Sequence, residues 1–234
     1  MPYHPFPQTR WTLVLSAKDG KADTSFEALE GLAMAYWNPI HAYLRSRGLS
    51  PEDTKDATQG FFAYLLEREF LRNIEPEGGR FRNFLLVVLR RWMKDERKRV
   101  INVKRDAEIE WQPWHELEIA DRVAAPAGAS PEEAFDRSWA ESLVTRSMLA
   151  LQERWYRRAE LFDALRFTVE SPENVEKYSA IAARLEMTEG AVGKAAHDLR
   201  EQFAEQIRLE VRDTVARDQD VEEELRYLVR LMKV

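Results

Sequence analysis

Between Arg80 and Arg105 the chain reads RFRNFLLVVLRRWMKDERKRVINVKR, and its apolar residues recur at helical spacing. At about 100° per residue, Phe81, Phe84, Leu85, Val88 and Trp92 share one broad face, while Arg90, Arg91, Lys94, Arg97 and Lys98 collect opposite. A helix of this kind gains most of its stability by burying the apolar face, and the helices before it in the chain need that face. Nearly every other periodic segment also reads as helix. Gly and Pro sit mostly between elements, and no stretch alternates as a strand does. The expected fold class is therefore all-α.

Two helical modules joined by a flexible linker are expected. A Pro-rich arm over 1–25 precedes a first module over 26–105. In that module Gly48 ends one helix, and Ser50-Pro51 opens the next with an N-cap, a proline at the first helical position and acids in the first turn. Periodicity disappears over 106–131, which is acidic at first and then rich in Ala, Pro and Gly, as an interdomain tether would be. Ser130-Pro131-Glu132-Glu133 is a capped start for a second module over 132–207. An amphipathic extension follows over 208–234. Its stripe of Val215, Val221, Leu225, Leu228 and Leu231 is expected to pack back on the second module, with a surface for a regulatory partner or for self-association as the alternative.

Composition excludes several classes. There is no cysteine, so disulfides and thiolate metal sites are out. His4, His41, His115 and His197 have no metal-ligand spacing. No nucleophile–base pair or phosphate loop stands out, so neither an enzyme nor a cofactor is expected. No apolar run approaches the ~20 residues that span a bilayer, and the N-terminus lacks a signal-peptide pattern; a cytoplasmic protein without membrane insertion is expected.

Charge is unevenly spread. The chain carries 35 Lys+Arg against 41 Asp+Glu, yet Arg80–Arg105 holds ten basic residues and two acidic ones. A merely solvated face usually mixes signs, and a membrane-surface helix would not need its apolar side for a core. Basic residues gathered on one face favour nucleic acid. Further on, YSAIAARLEMTEGAVGKAAHDLREQF has helix-turn-helix spacing: a helix from Lys177 to Leu185, a turn at Glu186-Met187 and a second helix from Thr188. Ala182, Leu185, Val192 and Leu199 form its expected seam, and such a second helix enters the major groove by its N-terminal part.

Taken in order, three motifs resemble those of bacterial extracytoplasmic-function (ECF) sigma factors, in particular a planctomycete-like subgroup with a C-terminal extension. The first is Asp53-x-x-Asp56-x-x-Gln59-x-x-Phe62, similar to the helix that docks on the clamp of RNA polymerase. The second is Phe81-Arg82-x-Phe84-Leu85 with Asp95-Glu96 and the basic run, similar to the helices that melt and read the −10 promoter element. The third is Tyr178-x-x-Ile181-Ala182-x-x-Leu185 with Glu189-Gly190-Ala191-Val192, similar to the −35-reading helix-turn-helix. The openings FPQTRWTLVL and AYWNPIHAYLRSRGLSPED resemble the same subgroup.

The resemblance implies a non-catalytic protein that binds core RNA polymerase and directs promoter recognition and opening in transcription initiation. Its partners would be core polymerase, promoter DNA and an anti-sigma or other regulatory protein. Asp53, Asp56, Gln59 and Phe62 would dock on polymerase. Arg80, Arg82, Arg90, Arg91, Lys94, Arg97 and Lys98 would hold the opened strand, while Phe81 is the candidate stacking aromatic with burial as its expected place. Lys194, His197 and Arg200 would contact −35 DNA. The chain departs from the pattern at Gln59-Gly60, where a carboxylate is lost, at Arg91 in place of Asn, and at Gly193, Ala195 and Asp198 in a helix usually basic. From Thr188 to Glu205 two basic residues face four acidic ones. Those departures motivate an alternative: a sigma-derived regulatory or interaction protein that keeps polymerase or partner contacts but has weak DNA recognition of its own.

Overall fold

The computed structural model describes residues 22–67, 80–107, 130–170 and 176–232. Most of the arm, most of the linker and residues 68–79 lie outside these, as do the side chains of residues 22–30 and those of Arg97, Lys98 and the rest of the basic run beyond Glu96. The described residues are helical, apart from turns and one isolated antiparallel bridge between Arg80 and Val215. In order they form α1 (Ala22–Ser46), α2 (Pro51–Glu67), α3 (Phe81–Ala107), α4 (Pro131–Arg154), α5 (Ala159–Leu165), α6 (Phe167–Glu170), α7 (Tyr178–Arg184), α8 (Glu189–Arg212) and α9 (Val221–Met232). Short 3-10 turns occupy Tyr156–Arg158 and Asp218–Asp220.

Local chemistry sets the helix ends. Gly48 has a φ of 92°, its N–H bonds Arg45 C=O at 3.0 Å, and the Leu49 N–H reaches back to Leu44 C=O at 3.4 Å. This is a Schellman stop, in which glycine takes the left-handed conformation at little steric cost. Ser50 then starts α2, its Oγ accepting from the Asp53 N–H at 3.1 Å. At α4 the capping box is complete: Ser130 Oγ accepts from the Glu133 N–H at 3.2 Å, and the Glu133 carboxylate accepts from the Ser130 N–H at 2.6 Å.

The chain forms two compact units, and their boundaries differ from the sequence reading. Among the described residues, one unit comprises 22–67, 80–107, 130–142 and 212–232; the other comprises 143–170 and 176–211. The divisions fall inside α4 and at the end of α8 rather than in the Ala/Pro/Gly-rich stretch. The first unit has an aromatic core in which Tyr36, Phe61, Phe81, Phe135 and Trp139 are fully buried. Tyr36 lies against Phe81 at 5.3 Å between ring centroids, and Phe61 against Trp92 at 5.6 Å. Each such side chain contributes about 1.5–3 kcal/mol by burial. Phe81, Leu85, Val88 and Trp92 of α3 are all buried and Phe84 is half-buried, so the apolar face closes this core.

The C-terminal extension belongs to that same unit. The Phe81 N–H, free of an intrahelical partner at the start of α3, donates to Thr214 C=O at 3.1 Å. Val215, Val221 and Leu228 are buried. The sequence reading placed this stripe on the second module; instead it covers the start of α3, where buried arginine needs carboxylates.

The second unit is organised around Met148, Leu151, Trp155, Phe162, Ile181, Val192 and Leu199. Within it α7 and α8 meet through a turn in which Glu186 has a φ of 53° and the Met187 N–H bonds Ala182 C=O at 2.9 Å. A glutamate here does the work usually given to glycine or asparagine. Ala182, Val192 and Leu199 are buried and Leu185 is half-buried, forming the expected seam. Thr188 caps α8 by accepting from the Ala191 N–H at 3.2 Å.

Candidate polymerase and nucleic-acid faces

On α2 the two carboxylates read as docking groups are displayed outward. Asp53, Asp56 and Gln59 are exposed. Asp53 also serves its own helix, because its carboxylate accepts from the Ser50 hydroxyl at 2.7 Å. Phe62 is different. It is buried, with its ring stacked on Trp37 at 5.9 Å and an interplanar angle of 5°. Core burial therefore takes Phe62 off the docking face. At position 60, where a carboxylate is missing, a β-carbon would lie 3.4 Å from the Trp92 ring, at the edge of ordinary van der Waals contact.

On α3 the basic residues divide by position. Arg91 and Lys94 are exposed, without an ion-pair partner among the described residues. Arg90 is exposed but bonded to Glu132 at 2.5 Å; a hydrogen bond with Tyr43, then Glu132, holds its guanidinium more firmly protonated than usual. Arg80 is half-buried and binds Glu223 at 2.6 Å and Glu224 at 2.7 Å.

Arg82 is inside the protein, 3% exposed. Its Nε and Nη2 donate to the two oxygens of Glu224 at 2.7 and 3.2 Å, and Nη1 donates to Asp136 at 2.6 Å. The guanidinium also lies 4.3 Å from the centroid of Tyr227 and 5.2 Å from that of Trp139. The Tyr227 hydroxyl donates to the other Asp136 oxygen at 2.5 Å, closing the network. Burial works against the Arg82 charge, but the hydrogen bond and charge of Glu224, joined by Asp136, outweigh it and raise its pKa. Arg82 is thus a fully satisfied core cation, with no side-chain surface to offer a phosphate.

Sequence reasoning passed over the partners of this network, although a signal was present. Glu224 falls on the apolar stripe of α9 between Val221 and Leu228, and Arg82 stands three and four residues before Leu85 and Leu86 on α3. A charge set into an apolar stripe marks a buried ion pair as readily as a ligand contact.

On α8, Lys194, His197 and Arg200 are all exposed. His197 Nε2 is 3.4 Å from the Glu201 carboxylate, and Arg200 reaches the Tyr178 hydroxyl at 3.4 Å. Further cations surround this helix that the sequence reading left unassigned: Arg157, Arg158 and Arg184 line the same cleft as Lys194. Arg157 and Arg158 lie in the 3-10 turn and Arg184 ends α7, so only the fold brings them to the cleft with Lys194.

No helix among the described residues is long and apolar enough to cross a membrane. No family model, curated protein or solved structure matches this chain.

Proposed function

We propose that the chain is an ECF-type sigma factor, a cytoplasmic and non-catalytic subunit that recruits core RNA polymerase to a promoter and helps open it. The observation that carries this reading is the pairing, in one chain, of an outward Asp53–Asp56–Gln59 stripe on α2 with a separate helix-turn-helix made by α7 and α8. Carboxylates one helical turn apart suit arginines on a protein partner. Arg91 and Lys94 supply exposed cations on α3 for the opened strand, with Arg97 and Lys98 further along the same helix. The proposed partners are core polymerase, promoter DNA and a regulatory protein of the anti-sigma kind.

A second reading draws on specific observations. Arg80 and Arg82 are engaged by carboxylates of the chain itself, and α8 is poor in basic residues. Both favour a sigma-derived interaction protein that retains polymerase contact without independent promoter recognition. Run-off transcription with core polymerase separates the two. A promoter-dependent transcript that appears only with the chain supports the sigma reading; binding to core without any transcript supports the second.

A further inference from the structure

Between α4 and α5 the sequence RWYRR, from Arg154 to Arg158, puts three arginines and a tyrosine beside one buried tryptophan. Trp155 is the anchor. It is buried, its indole N–H donates to Gln202 Oε1 on α8 at 2.9 Å, and its ring lies 6.3 Å from that of Phe162. With Trp155 pinned inward, Arg154, Tyr156, Arg157 and Arg158 are all exposed. Arg157 is held in place before any ligand arrives: its Nε donates to the Tyr156 hydroxyl at 2.7 Å, and its guanidinium stands 5.4 Å from that ring's centroid. A guanidinium ordered in this way loses less rotamer freedom on binding. Arg154, Arg157 and Arg158 have no carboxylate partner among the described residues.

The same turn and α8 line one cleft, to which the turn contributes Arg157 and Arg158 and α8 contributes Lys194. From α8 the cleft is lined by Ala191, Lys194, Ala195 and Asp198, and the two alanines leave room for a bulky polymer beside Lys194. We infer that the Arg154–Arg158 turn is a phosphate-binding element that grips the sugar-phosphate backbone of duplex DNA beside α8, providing contacts that α8 itself lacks. This rests on the proposed reading of α8 as a DNA-facing helix. Glu160, Glu186 and Asp198 line the cleft as well, so attraction comes from a few guanidinium forks rather than from a broad positive field. The predicted footprint is accordingly two or three phosphates, and the salt dependence is shallow for a DNA-binding protein.

The test uses the full chain carrying Arg154→Gln, Arg157→Gln and Arg158→Gln, titrated against a fluorescent mixed-sequence duplex over a range of salt concentrations. Affinity at low salt should fall on the order of tenfold, and the slope of log K against log salt should flatten by about two to three. Far-UV circular dichroism and the summed emission of the chain's seven tryptophans should stay unchanged, showing that the fold persists. Arg137→Gln with Arg226→Gln and Arg230→Gln, three exposed arginines elsewhere, should leave the slope within error and so removes net charge as the cause. An unchanged slope in the triple variant overturns the inference, as does a wild-type chain that binds no duplex at low salt. Co-purification with core polymerase from the same preparations reports separately on the sigma reading. Lost polymerase capture with intact duplex binding overturns the inference in favour of an acidic protein contact.

Discussion

Arg82 and Glu224 stand 142 residues apart in sequence and are joined by two hydrogen bonds inside the protein. Their pairing ties the start of α3 to the last helix of the chain. Glu224 is fully buried, and Asp136 at the start of α4 completes the charge balance around the guanidinium. The C-terminal helix is therefore part of the first unit's core and not an appendage to it.

Removing one member of this pair leaves the other charge buried. Glu224→Ala should destabilise the first unit by about 3–5 kcal/mol, read from denaturant unfolding. Glu223→Ala, which removes only the more exposed partner of Arg80, should cost no more than about 1 kcal/mol. The combination Arg82→Met, Asp136→Asn and Glu224→Leu should recover much of the loss, because the buried guanidinium and the two carboxylates that hold it are removed together. Equal effects of Glu223→Ala and Glu224→Ala would contradict the buried network.

Tyr227 should give the first unit an alkaline limit. Burial first, then the hydrogen bond and charge of Asp136, push its pKa up. The unfolded chain releases this proton near pH ~10, while the folded chain still holds it. Stability from this group is thus complete below about pH 10 and is lost as pH rises through the folded value. Tyr227→Phe should flatten the decline in unfolding free energy between neutral and strongly alkaline pH. A decline as steep in the variant as in the wild type would remove Tyr227 as its source.

Gly193 offers the opposite kind of change. A β-carbon there would meet the Tyr178 ring at 3.7 Å, an ordinary contact. Gly193→Ala should therefore stabilise α8 by about 1 kcal/mol and raise the midpoint of unfolding. A lowered midpoint would mean that close approach to Tyr178 is required after all.

Asp56 is the cleaner probe of docking, because Asp53 also caps α2. Asp56→Arg should abolish co-purification with core polymerase while helicity by circular dichroism is retained. Full capture by the variant would remove the α2 stripe from the proposed interface.

Exposed cations of α3 can be tested apart from the buried one. Arg91→Ala with Lys94→Ala should weaken promoter opening by the holoenzyme, measured by permanganate reactivity of unpaired thymines, without loss of stability. Unaltered reactivity would make this face a solvated surface.

Helix content and helix ends were legible in the residues themselves. Gly48, Ser50 and Ser130 act through bonds to neighbours a few residues away, and Phe81, Leu85, Val88 and Trp92 recur at the period of the helix they form. The outward stripe of Asp53, Asp56 and Gln59 could be read for the same reason. Phe62 lies farther along that helix but turns into the core, since Trp37 stacks upon it from α1. The fate of the basic residues was decided only by tertiary structure. Counting charge along the chain makes Arg80 and Arg82 equivalent to Arg91 and Lys94, yet Glu223, Glu224 and Asp136 arrive from distant segments to bind the first two. Local sequence determines which face a side chain occupies, because the helical period is short-range. Whether a charge on that face meets water, a ligand or another charge depends on which remote segment packs against it, and here the closing helix of the chain decided it.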